Sequence, residues 1–456
     1  MRAPLRPLYA ATVAAARAAA AVAGSGSPSP NKIWRSVQAR HDIVARWQRS
    51  AAAMRDMARP LVWMHAPSVG EGLQARPVAH ALRAAWPEAQ LAYSYFSPSA
   101  EKFAASIGAD ITGYLPFDSA ADMDALLDAV RPSMLVFVKL DVWPVLVERA
   151  TRRGIPVLML SATLAESSGR RGMLSRALLH DAYAALSLVG VIDAEHGNRL
   201  VELGVSQANI RHTGDTRFDQ VWQRAQQVDH TLPHMVATSS SRPTLVAGST
   251  WPADEAVLLP AWEQLRASMP SARIMVAPHE PTAAHVEPLL AWAKRSGLRV
   301  ATLSEAEAAR ANAASANAAR DDNASDHEAN NADVVVIDRV GVLGDLYAHA
   351  DVAFVGGGFH RAGLHSAIEP AAFGAPVLFG PGHGMSREAG LLLAAGGARC
   401  VHDMAECVSA MHELLQNGQP RRVAGEAARE IVAHERGATE RSVALLLDAR
   451  RTGRTG

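Results

Sequence analysis

The stretch APSVGEGLQARP, residues 66–77, places one carboxylate, Glu71, between two glycines just after the apolar run LVWMH. An apolar run that breaks into Ser-Val-Gly-Glu-Gly and then turns helical reads as a strand, a tight turn and a helix start. Open α/β sheets put their ligands at such strand ends. An acid there has two possible uses. It can complement the positive end of the helix and its free N–H groups, or it can act as general base on a bound hydroxyl. Ser68 and Gly70 lie beside it, placed to shape the approach of a substrate. The residues alone leave both uses open.

A second cluster is VGGGFHRAGLHSAIEPAAFGAPVLFGP, residues 355–381. An apolar run ends in Gly356-Gly357-Gly358, where missing side chains let a ligand approach the backbone. His365 and Ser366 precede a helix start, whose free N–H groups suit a phosphate. Glu369 lies about one turn in, where a carboxylate can accept from ribose hydroxyls. Pro370 fits a first-turn position. This is either a nucleotide site or a glycine turn with a capped helix. The phosphate loop GxxxxGK[ST] is absent, and the cluster lacks GxGxxG, which argues against NAD.

Shorter stretches add candidates. VAGSTWPADE, 246–255, ends a strand at Gly248, Ser249 and Thr250, as helix cap or phosphate ligands. VAPHEPT, 276–282, offers Pro278, His279 and Glu280 to a base or phosphate, although a lone histidine there is more commonly structural. VKLDVWP, 138–144, carries Lys139 and Asp141, which orient a substrate or merely form a buried ion pair or cap. GDTRFD, 214–219, carries Asp215, Arg217 and Asp219, for which an interdomain salt bridge is the plain account. Arg217 or Lys139 would otherwise hold a carboxylate or phosphate. The 18 histidines are scattered, HExxH and GxSxG are absent, and no metal set stands out.

These residues need a scaffold that ends strands beside one another. From residue 61 the chain alternates strands and helices, first LVWMHA, LAYSYF, MLVFVK, VLMLSA and LVGVID. The alternation restarts with TLVAGST, RIMVAPH, LRVATLS, DVVVIDR, DVAFVGG and PVLFG. That pattern predicts parallel sheets covered by helices, an α/β fold of two Rossmann-like domains with the default ligand site in the cleft between them. The domains are read as 32–225 and 244–430, joined by a polar linker at 226–243 and followed by a C-terminal helix and tail at 431–456. KIWRSVQARHDIVARWQRSAAAMRDM, from residue 32, is expected to be helical, with Trp34, Val37, Val44 and Trp47 on one stripe and a polar gap at Arg40 and His41. The Ala/Asn/Asp-rich segment 304–331 is read as a disordered or loosely helical surface insertion.

Composition narrows the function classes. The 456 residues exceed one ordinary domain, and 49% hydrophobic content supports a sizeable core. Lys plus Arg equals Asp plus Glu at 45 each, so no global charge points to nucleic acid. Cys400 and Cys407 fit no metal spacing and read as ordinary thiols of a reducing compartment. Residues 1–31 form an Ala-rich leader and spacer. The leader carries Arg17 in its middle, so a basic, weakly amphipathic segment lying on a membrane face is favoured over a spanning helix, with a disordered or helical soluble leader close behind and a cleaved signal peptide as a further alternative.

Taken in order, SVGE, GDTRFD, GST and GGG…H…EPAAFG…PVLFGP make the chain resemble the bacterial 3-deoxy-D-manno-octulosonic acid (Kdo) transferases, over roughly residues 32–445. The resemblance implies a GT-B-fold inverting glycosyltransferase without a cofactor or tightly bound metal. It implies transfer from CMP-Kdo to a lipid A precursor at the cytoplasmic face of the inner membrane, with peripheral or single-helix attachment. The base is then Glu71, and CMP is bound by Gly248, Ser249, Thr250, Pro278, His279, Gly357, Gly358, His365, Ser366 and Glu369. Ser68, Gly70, Lys139, Asp141 and Arg217 are left to orient substrate. There are departures. Many members carry Glu-Thr-Glu-Leu-Trp-Pro where this chain has Lys139-Leu140-Asp141-Val142-Trp143-Pro144, which touches acceptor recognition. Ala277-Pro278-His279 stands for Pro-Arg-His, and Ser366 for an asparagine at the donor phosphate. The leader is less hydrophobic than the usual anchor, and the 304–331 insertion is unusual. Other GT-B chemistry, such as an epimerase or a transferase with another donor, and an inactive binding module are the alternatives.

Overall fold

In the computed structural model, which describes residues 3–23, 31–318 and 332–452, every apolar run read as a strand forms one. The first sheet contains β1 (Leu61–His65), β2 (Gln90–Tyr95), β3 (Ile111–Tyr114), β4 (Met134–Val138), β5 (Val157–Ala162), β6 (Leu188–Val191) and β7 (Ile210–His212). Its order is β3-β2-β1-β4-β5-β6-β7, with all pairs parallel. The second contains β8 (Thr244–Thr250), β9 (Arg273–Pro278), β10 (Val300–Thr302), β11 (Val334–Val336), β12 (Val352–Val355), β13 (Val377–Phe379) and β14 (Ala398–Cys400). Its order is β10-β11-β9-β8-β12-β13-β14, again parallel throughout. Three strands had no apolar run to announce them: β3, β7 and β14. All three are sheet edges, short and partly exposed. Central strands are covered on both faces, so they read as unbroken apolar runs. In β1 and β4 every residue is buried.

The chain divides into two units, one formed by the residues up to Gln220 together with those from Glu435 on, the other by Val221–His434. In the first, Trp47, Trp63, Tyr93 and Phe137 are fully packed around the sheet. The helix Ala438–Thr452 adds Val443, Leu445, Leu446 and Ala449 to this same core. The stretch after residue 32 is two helices, Lys32–Gln38 and Ile43–Met54, rather than one. The break falls at the polar gap. There Arg40 turns inward to 3% exposure, donates to the carbonyls of Leu115 and Phe96, and stacks 3.6 Å above the Phe96 ring. Trp34, expected on the apolar stripe, is 43% exposed.

The leader forms the helix Arg6–Ala23, docked on the first unit. Tyr9 donates to the buried carboxylate of Asp118 at 2.8 Å, and Arg17 pairs with Asp122. Asp118 also accepts from the Val145 and Leu146 amides, the first free donors of the helix Pro144–Arg152. Among the described residues no helix is long and apolar enough to cross a membrane.

In the second unit the stretch read as a polar linker carries the helix Pro233–Thr238, whose Met235, Ala237 and Thr238 are buried. The segment read as an insertion begins as the regular helix Leu303–Ala318, anchored by buried Leu303 and Ala306; residues 319–331 lie outside those described. The core here centres on Trp262 and Phe354. Cys407 is buried and Cys400 partly so; neither forms a disulfide.

Candidate active site

Each sheet reverses its strand order near its middle, and each candidate cluster sits at that central reversal. In the first sheet β1 and β4 are neighbours, and Glu71 and Lys139 follow their C-terminal ends. In the second, β8 and β12 are neighbours, and Gly248–Thr250 and Gly356–Gly358 close them. Diverging connections at such a point leave a crevice for a ligand.

Glu71 occupies the third position of the helix Val69–Ala85, after Ser68 at the cap. A cap role would have it accept from the Ser68 backbone amide. Its side-chain partners are instead the Ser68 hydroxyl, which donates to Oε2, and Lys139 Nζ, 3.2 Å from Oε1. Burial pushes the carboxyl up, but the bonds from Ser68 and the Lys139 ammonium together hold it below the ordinary glutamate value. Glu71 is therefore ionised at neutral pH, and 16% of its side chain remains open. Of the glycines beside it, Gly72 is sterically required, since a Cβ would lie 2.6 Å from the Phe103 ring. A Cβ on Gly70 would make only ordinary contact with Ser68.

Lys139 adopts the left-handed conformation, with φ +71°, which turns the chain out of β4 and its side chain toward Glu71. Lys139 pairs with Glu71 and not with Asp141. Asp141 accepts from Arg170 at 3.0 Å and lies 3.8 Å from His65, a residue the sequence did not single out. His65 ends β1 with no exposure; Trp143 Nε1 donates to its Nε2 at 3.2 Å and its Nδ1 faces Ser94 Oγ at 2.9 Å. Trp143, in the altered KLDVWP motif, also stacks on Phe96. The loop after β4 is thus held by β1 from beneath.

Arg217 donates through Nε and Nη2 to Asp215, two residues away. Thr216 donates to the Gln74 carbonyl, one turn beyond Glu71 on the same helix. Asp219 accepts from the Gly437 and Thr439 amides and so caps the helix Ala438–Thr452.

In the second unit, Gly248 passes beneath Tyr347, where a Cβ would lie 2.0 Å from the phenol oxygen. Ser249 is left-handed at φ +54°. The Thr250 hydroxyl is committed to Glu255 at 2.8 Å, and Trp251, rather than Ser249 or Thr250, caps the following helix Pro252–Ser268. Asp254, fully buried, is the residue that pattern reading missed. It accepts from the Trp251 amide at 2.9 Å, the Gly357 amide at 2.7 Å and the Phe359 amide at 3.0 Å. One carboxylate thereby binds the loop after β8 to the loop after β12. The loops pack backbone to backbone, since a Cβ on Gly356 would lie 2.2 Å from the Ser249 carbonyl oxygen. Gly357, at φ +92°, has no room for a side chain against Gly363, nor has Gly358 against Gly380. The local signal for Asp254 was its third-position acid in WPADE; its distant partners carry none.

Pro278 ends β9 and is buried, while His279 is exposed and stacks on Trp251 and His365. The helix after Ser366 is short, Ile368–Ala372, so its dipole is small. Glu369, on its first turn, makes no hydrogen bond among the described residues; burial pushes its carboxyl up against the pull of Arg224. Such a carboxyl is available to a hydroxyl-bearing ligand.

A family model described as 3-Deoxy-D-manno-octulosonic-acid transferase (kdotransferase) matches residues 41–220. The chain is 31% identical over 415 residues to the 3-deoxy-D-manno-octulosonic acid transferase of Bordetella pertussis, covering 89% of this chain and 91% of that protein. It is 26% identical over 393 residues to the enzyme of the same name from Haemophilus influenzae, covering 84% and 86%. Among solved structures, the UDP-GlcNAc 2-epimerase from Neisseria meningitidis superposes with a TM-score of 0.59 at 12% identity, covering 85% of this chain and all of that one. That likeness establishes the fold, the GT-B arrangement of two parallel α/β units.

Proposed function

The chain belongs to the 3-deoxy-D-manno-octulosonic acid transferase family and is a glycosyltransferase, and on that premise we propose that it moves Kdo from CMP-Kdo to a lipid A precursor with Glu71 as general base. The observation that carries this reading is the state of Glu71. It is an ionised carboxylate, partly open, at the strand-order reversal of the first sheet, held by the Ser68 hydroxyl and the Lys139 ammonium. In the reaction the acceptor hydroxyl gives its proton to Glu71 as its oxygen attacks the anomeric carbon of Kdo. The bond from that carbon to the CMP phosphate breaks, and CMP leaves with the electron pair. The configuration inverts, because attack and departure lie on opposite faces. Proton transfer from an alcohol can be late, so a carboxylate of ordinary basicity serves when it is close.

The second unit supplies the CMP contacts in this reading. The glycines after β8 and β12 expose backbone, Ser249, Ser366 and His365 face the phosphate, and Glu369 takes ribose hydroxyls. Lys139, Asp141 and Arg217, on the first unit, orient the substrate. The docked leader helix and its exposed Leu8 and Val22 suit attachment at the cytoplasmic face of the inner membrane, where such an acceptor resides.

The test is incubation with CMP-Kdo, generated in situ, and a tetraacylated lipid A precursor, read by mass spectrometry. A gain of one or two Kdo units is expected, and its loss in Glu71→Gln with CMP binding intact. Near-normal turnover by Glu71→Gln removes Glu71 as base. UDP-sugar turnover with no response to CMP-Kdo overturns the donor assignment.

A further inference from the structure

Three imidazoles and one indole meet beyond the ends of β8, β9 and β12. Trp251 stacks on His360 with centroids 4.1 Å apart and planes 9° from parallel, and on His279 at 4.4 Å and 21°. His279 also stacks on His365 at 4.5 Å. Trp251 and His365 are within 11° of parallel with centroids 6.4 Å apart, and they are joined by a hydrogen bond of 3.0 Å between Trp251 Nε1 and His365 Nε2. Stacked rings of this kind do not converge on a metal, and no metal-ligating group of three is present among the described residues.

The direction of the Trp251–His365 bond is not a matter of choice. An indole Nε1–H only donates. His365 Nε2 must therefore be the acceptor, and the ring proton belongs on Nδ1. Protonating Nε2 would set N–H against N–H. His365 Nδ1 has no hydrogen-bond partner among the described residues.

We infer that Trp251 is a positioning residue that locks His365 as the neutral Nδ1–H tautomer, making Nδ1–H the directional donor offered to an anionic group of the bound nucleotide. The choice of ligand rests on the nucleotide reading proposed above; the tautomer does not. The opposite tautomer would turn a lone pair on the anion, and a freely titrating ring would make binding vary with pH. The surroundings act in the same sense. Burial holds His365 below the ordinary histidine value, and His279 after β9 and His360 after β12 add to this. Asp254, on the helix Pro252–Ser268, pulls the other way, but its carboxylate already accepts three backbone amides. A directional donor is what this site needs, because the five-residue helix Ile368–Ala372 offers little dipole.

The experiment is a long-range proton–nitrogen spectrum of the full chain labelled with 15N-histidine, the His365 signals identified by their loss in His365→Gln. The expected result is one His365 tautomer, protonated at Nδ1 and bare at Nε2, at neutral pH and above. In Trp251→Phe, which keeps a stacking ring and deletes the donor, His365 should become a tautomer mixture that titrates. CMP affinity, measured by calorimetry at about pH 8, should fall a few-fold, by the inverse of the Nδ1–H fraction that remains. A wild-type His365 that is charged or protonated at Nε2 at neutral pH overturns the inference, whether or not Trp251→Phe folds. Unchanged CMP affinity in a Trp251→Phe chain whose His365 has lost its tautomer overturns the positioning role. A wild-type chain that does not bind CMP removes the nucleotide reading, while the spectrum still decides the tautomer.

Discussion

Lys139 Nζ lies 3.2 Å from Glu71 Oε1. A glutamate in place of Lys139 would set two carboxylates side by side and raise the affinity of one for a proton. The lysine does the reverse and, with Ser68, offsets the burial of Glu71. Lys139→Met should therefore raise the Glu71 pKa and move the acidic limb of the kcat/KM profile to higher pH. Lys139→Arg, which keeps the charge, should leave that limb in place. The measurement is transfer rate against pH under subsaturating acceptor, and an unmoved limb in the Met variant refutes the assignment.

Asp254 supports a second prediction. Its two oxygens serve three amides that belong to two loops. An asparagine has one acceptor oxygen and sets an amide N–H₂ against at least one of those donors. Asp254→Asn should cost about 1–3 kcal/mol through the buried amide left unpaired. Because the loops it joins carry Gly248–Thr250 and Gly356–Gly358, CMP binding should weaken while acceptor KM stays put. Calorimetry with CMP and acceptor kinetics at saturating donor separate the two effects.

What was legible in the sequence depended on how local the cause was. Glu71 and Gly356–Gly358 stood out because a buried parallel strand, a small-residue turn and a helix start are contiguous. Asp254 acts on Gly357 and Phe359 across more than a hundred residues, so nothing beside it marked the role. His65 lies inside LVWMH and reads as one more core residue, although its two ring nitrogens engage Ser94 and Trp143. Arg40 looked like a solvent-facing break in a helix; the aromatic rings that receive it come from residues 96, 114 and 117. The edge strands β3, β7 and β14 escaped notice because a half-covered strand of three or four residues needs no apolar run.

The leader offers a third prediction. Tyr9 donates to Asp118, whose carboxyl burial raises to about 6 despite the amides of Val145 and Leu146. A carboxyl raised above its unfolded value of about 3.9 holds its proton longer when folded, so its stabilising contribution is full at low pH. That contribution is lost as pH rises through about 6. Tyr9→Phe removes one bond to this group and should cost about 1 kcal/mol of docking. Amides of the helix Arg6–Ala23 should exchange several-fold faster in the variant, with the strands of the first sheet unaffected. Equal exchange in both proteins would show that the Tyr9–Asp118 bond does not hold the helix.

Asp333 carries the last prediction, at the opposite end of the second sheet from the chemistry. Its carboxylate, 6% exposed, receives Arg242 at 2.6 Å, Arg299 at 3.1 Å and Arg266 at 3.2 Å. Those arginines precede β8, β10 and β9, and Asp333 itself precedes β11, so one anion gathers the N-terminal ends of four neighbouring strands. Burial would raise its carboxyl, but the guanidinium bonds hold it far below the usual range. The stability it contributes is therefore present above the unfolded value of about 3.9 and is lost as pH falls below it. Asp333→Asn leaves three clustered cations without their anion and should cost about 3 kcal/mol at neutral pH. It should also flatten the acid limb of stability below about pH 4. Hydrogen exchange at the β9 and β11 amides reads this unit by itself. The residues proposed to meet the ligand lie at the C-terminal strand ends, so CMP affinity of the folded variant should match the wild type. A variant that loses CMP affinity without loss of protection would show the two ends of the sheet to be coupled, contrary to this division of labour.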